Sequence, residues 1–302
     1  MPSRLSAGGA PDRLLRRLEW RLRRRLDGRL QGAYRTVWRG AGIDFTDLRL
    51  YTPEDDVRHI DWNVTARLDE PYVRQYTQDR ELTAWMVVDR SASMRFGRGA
   101  QGKESVATEL TVGLAQLLSH GGNRVGAILY DNGAHQVIPP RTGRDQILRL
   151  AAELTRARPA TKPGSTTDLA AMLQLASSMT SKRRSLVFVL SDFIGEPGWD
   201  RALTRLSHRH EVVVLRVVDP AELELPDVGL ILVQDAETGE QVLVDTSDPL
   251  LQRQLSAEVR SREEAVEDGM RRAAVTAHRI TTEQDAVTAL VGLVQDSRRR
   301  RR

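Results

Sequence analysis

The spacing of apolar residues changes along the chain and divides its first third into two parts. Between residues 12 and 30, arginines fill most positions among leucines that recur at every fourth residue: Leu14, Leu18, Leu22, Leu26 and Leu30. This spacing places the leucines on one face and predicts an amphipathic helix. Between residues 32 and 82, short extended segments alternate with turns and contain few continuous apolar runs. We expect this β-rich segment to pack against the region of the chain that begins at Thr83.

From Ala84 onward, apolar runs alternate with amphipathic stretches. The runs predict strands at 84–88, 125–130, 135–140, 185–190 and 212–218, and the stretches predict helices near 103–119, 144–157, 168–179 and 199–208. Strands rich in β-branched residues between helices are typical of buried parallel strands with crossover helices. The pattern therefore predicts an open, mostly parallel, doubly wound α/β sheet.

The chain after Pro220 has a different pattern. It predicts a hairpin whose turn lies at 237–240, a long helix with an apolar face from Leu251 to Met270, a strand near 278–281 and a closing helix near 286–294. We therefore expect four parts: a basic amphipathic helix in 1–31, a β-rich segment in 32–82, an elaborated α/β domain in 83–296 and a basic tail in 297–302.

Composition excludes several kinds of site. The chain has no cysteine, which excludes disulfides, thiolate metal sites and cysteine nucleophiles, and its six histidines are scattered. The chain has no run of about 18 apolar residues, the length needed to span a bilayer. Arginines interrupt the N-terminal leucines, whereas the corresponding part of a signal peptide would be apolar. We expect a cytoplasmic protein without a transmembrane segment.

The formal net charge of +4 conceals basic ends on an acidic body. Eight arginines lie between Arg13 and Arg29, and five more form Arg298 to Arg302. Without these two stretches the chain has 32 basic and 39 acidic residues. Because no basic and aromatic residues interleave, specific nucleic-acid recognition is not expected. The basic helix could dock on its own body, on an acidic partner or peripherally on an anionic membrane.

Oxygen-bearing residues follow the predicted strands. Asp89, Ser91 and Ser93 come after the first strand, Asp192 comes after the strand at 185–190, and Thr167 precedes a helix. Ligands of open parallel sheets bind at the carboxyl ends of the strands, and alternate residues of an extended turn project to one side. These oxygens suit Mg²⁺ or Mn²⁺.

These oxygen ligands favour a role in recognising a binding partner. Neutral hydroxyls leave such a metal short of negative charge, so it gains by taking a carboxylate from outside. No nucleophile lies beside a base, which favours binding over catalysis. A serine loop that caps a helix without any metal is the simpler alternative, and Ser165 and Thr166 compete with Thr167 for its position.

The order D-x-S-x-S, then threonine, then aspartate resembles the metal-ion-dependent adhesion site of von Willebrand factor A-type domains. The resemblance implies that Ser91, Ser93 and Thr167 lie close to the metal and that Asp89 and Asp192 bind it directly or through water. It also implies that an acidic side chain of a client protein completes the coordination. The region 83–296 would then be a von Willebrand factor A-type domain.

Residues 47–62 resemble the signature D-L-R-x-Y-x-P-G-D-D-x-R-x-I-D-W, with Glu54 in place of glycine. This signature is that of the bacterial family called domain of unknown function fifty-eight, which carries an A domain and is associated with MoxR-type AAA+ ATPases. The resemblance covers about residues 30 to 295. It implies an adaptor that works with such an ATPase in the assembly or maturation of a client complex.

Five residues of the signature have two interpretations. They could form a structural staple, with ion pairs to the A domain and a buried tryptophan, or they could form a partner-docking surface. The residues are Asp55, Asp56, Arg58, Asp61 and Trp62.

Two other functions fit parts of the pattern. A Mg²⁺-dependent phosphohydrolase could use Asp89, because a strand-end aspartate also begins haloacid dehalogenase sites. Such sites need a second aspartate where this chain has Ser91, and also a downstream lysine, for which only Lys162 lies near a suitable loop. The other possibility is a scaffold on an anionic membrane surface. A serine hydrolase is not expected, because no G-x-S-x-G elbow occurs.

Overall fold

The computed structural model describes residues 10–26, 44–53, 55–68, 70–77, 82–97, 102–131, 134–157, 167–180, 184–224, 227–234 and 240–300. The chain divides into two compact units. The smaller unit is Trp38–Leu82, and the larger one combines Met1–Val37 with Thr83–Arg302. The predicted boundaries of the four parts stay predictions.

The first helix, α1 (Ala10–Leu26), belongs to the larger unit. The smaller unit consists of strand β1 (Asp44–Leu50), a 3₁₀ turn (Val57–His59), helix α2 (Trp62–Leu68) and strand β2 (Tyr72–Thr77). Strands β1 and β2 form an antiparallel pair.

The larger unit continues with alternating strands and helices. The strands are β3 (Thr83–Asp89), β4 (Arg124–Asp131), β5 (Ala134–Arg141), β6 (Leu186–Ser191), β7 (Glu211–Val218), β8 (Leu230–Gln234), β9 (Gln241–Asp245) and β10 (Ala277–Thr281). The helices are α3 (Lys103–His120), α4 (Arg144–Thr155), α5 (Leu169–Met179), α6 (Trp199–Arg209), α7 (Pro249–Arg272) and α8 (Ala286–Arg300).

The central sheet has six strands in the order β10-β7-β6-β3-β4-β5. Every pair is parallel except β4 and β5. This confirms the predicted open, mostly parallel α/β sheet. The expectation that residues 135–140 form a buried parallel strand is wrong, because only residues 132–133 separate β5 from β4. So short a connection permits a hairpin but no crossover.

Helices cover both faces of this sheet. Helices α5, α6 and α7 pack on one face, through residues such as Leu173, Leu203 and Met270. Helix α3 packs on the other face, with α1, α4 and α8 around it. Strands β8 and β9 form the predicted separate hairpin, and its turn at 235–239 lies outside the described residues. In the described part of the chain, no helix is long and apolar enough to cross a bilayer.

Within the larger unit, the leucine face of helix α1 packs against the neighbouring helices. Leu15, Leu18 and Leu22 are at most 3% exposed. On its polar side, Glu19 and Asp12 form ion pairs with Arg144, at 3.0 and 3.3 Å respectively. Of the three interpretations of the basic helix, the structure therefore gives docking on its own body. Residues 27–43, which include Leu30, lie outside the described residues.

A buried histidine follows α6 and makes the stability of the larger unit depend on pH. The Ser185 N–H donates to Nδ1 of His210 at 3.2 Å, and Nε2 lies 3.0 Å from the Thr180 hydroxyl. Because Nδ1 accepts a hydrogen bond, the ring is neutral in the folded state. Burial lowers the pKa of His210 below its ordinary 6.5, and the charges of Arg209 and Arg184 lower it further.

We therefore expect the free energy of unfolding to fall as the pH drops below about 6.5. In that range the unfolded histidine binds a proton that the folded one does not. Urea unfolding at pH 7.5 and pH 5.5 measures the effect, and His210→Gln should lose less stability between these values. An equal loss in both proteins would show that other groups cause the dependence.

Candidate metal site

The candidate site begins where two neighbouring parallel strands end. β3 ends at Asp89, and β6 ends at Ser191, which is followed by Asp192. The two strands pair in register up to Val88 and Leu190, so the next residues of both strands meet at the sheet edge. There the Ser191 hydroxyl donates to Oδ2 of Asp89 at 2.6 Å. Sequence reasoning missed this serine.

The loop after β3 brings two hydroxyls beside Asp89. The Ser91 N–H donates to Oδ1 of Asp89 at 2.9 Å, and the Ser91 and Ser93 hydroxyls lie 3.0 Å apart. All three residues are buried. Arg90 points away from them, and its guanidinium donates to the carbonyl oxygens of Glu153 and Leu154. The predicted side chains are thus close together, but the loop is not extended as predicted, because Ser93 begins a 3₁₀ turn (Ser93–Arg95).

Thr167 lies against the loop that follows Asp192. It is fully buried, and its carbonyl oxygen accepts a hydrogen bond from the Glu196 N–H at 3.4 Å. A Cβ on Gly195 would lie only 2.6 Å from that oxygen, so the close approach requires glycine. Asp168 is exposed and caps α5 by accepting from the Ala171 N–H at 2.8 Å. Ser165 and Thr166 lie outside the described residues.

A lysine occupies the same edge of the sheet. Lys103 is the first residue of α3 and is fully buried. Its ammonium donates to Oδ2 of Asp192 at 2.7 Å and to Oε1 of Glu222 at 2.5 Å. The expectation that only Lys162 lies near a suitable loop is therefore wrong. A helix that follows a parallel strand begins at the carboxyl edge of the sheet, and this rule could have located Lys103.

Three carboxylates lie at this edge of the sheet, and Lys103 contacts two of them, Asp192 and Glu222. Burial, followed by the charge of Asp192, raises the pKa of Asp89 to about 6. Burial also raises the pKa of Glu222, against the opposing effect of Lys103. The second carboxylate oxygen of Glu222 is buried and has no hydrogen-bond partner among the described residues. One ammonium therefore does not fully compensate the negative charge of the three carboxylates.

A nearby arginine does not balance this charge either. Nε of Arg216 donates to the carbonyl oxygen of Asp192 at 3.1 Å. Its guanidinium forms a two-fold ion pair with Glu263, with one contact of 2.8 Å. The arginine thus orients the backbone after β6, while Glu263 neutralises its charge.

The donor set fits a hard divalent cation. In the described part of the chain, no group of three or more histidine, cysteine, aspartate or glutamate side chains could hold a metal. Hydroxyl groups would therefore have to complete any site at this edge. The buried hydroxyls and carboxylates provide oxygen ligands only, which is the chemistry that Mg²⁺ and Mn²⁺ prefer. Three residues of the cluster lie outside the D-x-S-x-S pattern and its threonine and aspartate: Lys103, Ser191 and Glu222.

Among the described residues, the acidic residues of the signature accept hydrogen bonds from their own unit. Asp55 accepts from Arg49 and from the Thr52 N–H, and these bonds lower its pKa to about 2. Asp56 caps the 3₁₀ turn by accepting from the Arg58 N–H at 3.0 Å. Asp55 thus pairs with Arg49 of its own unit, and the structural-staple interpretation stays a prediction.

The end of the signature forms the start of α2. Asp61 is nearly buried and its carboxylate accepts from the Val64 N–H at 3.4 Å. The expectation that Trp62 is buried is wrong, because 69% of it is exposed. Trp62 is the first residue of α2, and the first turn of so short a helix can have one side turned towards solvent. The docking interpretation of these residues stays a prediction.

The mostly parallel sheet with hydroxyls and carboxylates at its strand ends has the arrangement expected of a von Willebrand factor A-type domain, the class that the sequence resembles. The chain belongs to the family described as protein of unknown function DUF58, which matches residues 47–265. The uncharacterized protein Rv1480 of Mycobacterium tuberculosis is 42% identical over 228 residues, which cover 74% of this chain and 70% of that protein.

Two solved structures are similar to parts of the chain. One is an aerotolerance-related membrane protein from Bacteroides fragilis, with 16% identity, a TM-score of 0.48, and coverage of 72% of this chain and 99% of that one. The other is a von Willebrand factor type A protein from Catenulispora acidiphila, with 10% identity, a TM-score of 0.38, and coverage of 73% and 43%.

Proposed function

We propose that this chain is a non-enzymatic, divalent-metal-dependent protein-binding module of the cytoplasm. It works as an adaptor with a MoxR-type AAA+ ATPase in the assembly or maturation of a client protein complex. The observation that carries the proposal is the buried cluster at the ends of β3 and β6, where hydroxyls adjoin carboxylates whose charge one lysine does not balance.

The ligands of the metal would be the hydroxyls of Ser91, Ser93 and Thr167 with the carboxylates of Asp89 and Asp192. The bound Mg²⁺ or Mn²⁺ supplies an electrophile for the acidic side chain of a client. The burial of the ligands supports this role, because a metal held away from bulk water attracts an external carboxylate more strongly.

The environment of the serines supports binding without catalysis. The Ser91 and Ser93 hydroxyls hydrogen-bond to each other. His120 bonds to the carbonyl oxygen of Gln116, and His210 bonds to Thr180, both away from the cluster. Neither serine therefore has one of these histidines as the base that would make it a nucleophile.

One observation favours the second candidate, a Mg²⁺-dependent phosphohydrolase. Lys103 lies beside Asp192, and such an enzyme needs a lysine at this edge. However, Ser91 stands where the second aspartate would be, and both carboxylate oxygens of Asp89 accept hydrogen bonds. We expect no turnover of generic phosphate esters in Mg²⁺. Turnover that disappears in both Asp89→Ala and Asp192→Ala would favour the enzyme.

A scaffold on an anionic membrane has less support. Membrane binding by α1 would use its leucine face, but Leu15, Leu18 and Leu22 are buried on the larger unit. The remaining attraction would come from arginines alone, and salt screens such charges over about 8 Å.

Co-purification tests the adaptor function. We expect the tagged chain to retain a MoxR-type ATPase, identified by mass spectrometry, in Mg²⁺ but not in EDTA. Thr167→Ala should lose the ATPase in both buffers, because it removes a ligand hydroxyl without changing the charge. The matched control is Thr155→Ala on α4, whose hydroxyl bonds only to carbonyl oxygens of its own helix. Equal recovery in EDTA and Mg²⁺ would contradict metal dependence.

A further inference from the structure

Lys103 is among the largest fully buried side chains of the described residues. Removing an ammonium from water is costly, and such groups persist where carboxylates pair with them. The position adds to the cost, because Lys103 is the first residue of α3 and the start of a helix carries partial positive charge. A buried lysine at this position needs a reason beyond packing.

The contacts of Lys103 join several parts of the candidate site. Its ammonium bridges Asp192, after β6, and Glu222, after β7. Its backbone N–H donates to the carbonyl oxygen of Phe96, at the end of the loop that carries Ser93. The same ammonium lies 5.7 Å from the centroid of the Phe96 ring. One side chain thus links the serine loop to two strand ends.

We propose that Lys103 is a built-in cation of the metal site, which holds Asp192 and Glu222 together when no divalent ion is bound and competes with that ion for Asp192. This inference rests on the proposed metal-binding function. The competition follows from geometry, because the ammonium occupies Oδ2 of Asp192 while the Ile194 N–H occupies Oδ1. A divalent ion must draw Asp192 away from the lysine or bind beside a positive charge.

The site would therefore have two forms. In one form the ammonium neutralises Asp192 and Glu222, and in the other a divalent ion takes Asp192. Because the lysine stabilises only the first form, it lowers the affinity for the metal, and client binding would respond to the metal concentration.

Replacing the lysine by a side chain of similar length without charge tests the competition. We expect full-length Lys103→Met to bind Mn²⁺ at least about tenfold more tightly than the wild type, since a cation close to the ion has been removed. Free Mn²⁺ is measured by electron paramagnetic resonance during titration. The control is Arg272→Met, which removes one positive charge from an exposed ion pair with Asp200 and should leave the affinity unchanged.

Thermal melting gives a second readout. In EDTA, Lys103→Met should melt at a lower temperature than the wild type, because its carboxylates have lost their cation. Mn²⁺ should then raise its melting temperature by more than it raises that of the wild type.

Glu222→Gln keeps the test decisive if Lys103→Met does not fold. The amide oxygen still accepts from Lys103, but the ammonium then keeps only Asp192 of its two carboxylate partners among the described residues, so it competes more strongly for Asp192 and the Mn²⁺ affinity should fall several-fold. An unchanged affinity in Glu222→Gln would overturn the competition.

The remaining outcomes separate this inference from the proposed function. Mn²⁺ binding by Lys103→Met alone would support the competing lysine and contradict a metal-dependent wild type. Equal binding by Lys103→Met and the wild type would overturn the competition and leave the proposed function standing. No binding by either would overturn both.

Discussion

Asp89→Ala is expected to abolish Mn²⁺ binding and to leave the fold intact. Asp89 is 1% exposed and lies between the serine loop and Ser191. Changes to residues that only support metal ligands reduce affinity by about 10–100-fold, so removing a ligand should cost more than about 100-fold. The fold should survive because the substitution also removes a buried charge, which offsets the two hydrogen bonds that it removes.

Isothermal calorimetry measures this affinity, and circular dichroism checks the fold. The matched control is Asp168→Ala. It removes a nearby carboxylate that caps α5 and is not among the proposed ligands. It should cost a little stability and no metal affinity. If Asp89→Ala bound Mn²⁺ as the wild type does, the assignment of the site would be wrong.

Leu18→Ala is expected to lower the free energy of unfolding by about 2–5 kcal/mol, the range for a buried leucine that leaves a cavity. Leu18 is fully buried, where α1 packs on α3 and α4. Urea unfolding followed by circular dichroism measures the change. The same substitution at Leu250, which is 67% exposed, should change stability by less than about 0.5 kcal/mol. A similar small effect at both leucines would show that α1 contributes little to the larger unit.

Most of the fold could be predicted because its signals are local. Apolar runs with β-branched residues indicated β3, β6 and β7, and leucines at every fourth residue indicated α1. The direction of β5 was predicted wrongly, although its short connection to β4 held the necessary information. The order of the six strands depends on contacts between distant residues, and no local pattern encodes it.

The candidate site was predictable only in part, for the same reason. Asp89 ends β3, and Ser91 and Ser93 follow within four residues, so their nearness in the sequence was enough to group them. Ser191 and Glu222 come from two other strand ends, and their places depend on strand order. Trp62 was misjudged because its apolar character suggested burial, whereas a seven-residue helix can leave one side of its first turn exposed.

Helix α3 extends from the candidate site to the helices that cover the sheet. It begins at Lys103 and, ten residues and about 15 Å along its axis, reaches Gly113. There a Leu290 methyl group lies only 2.6 Å from where a Cβ would be, and a Leu22 methyl lies 4.0 Å away. Helix α3 is thus closely packed against α1 and α8 at this point. If, as proposed, a divalent ion draws Asp192 away from Lys103, either the flexible side chain of Lys103 takes up the movement or α3 passes it to the N-terminal helix.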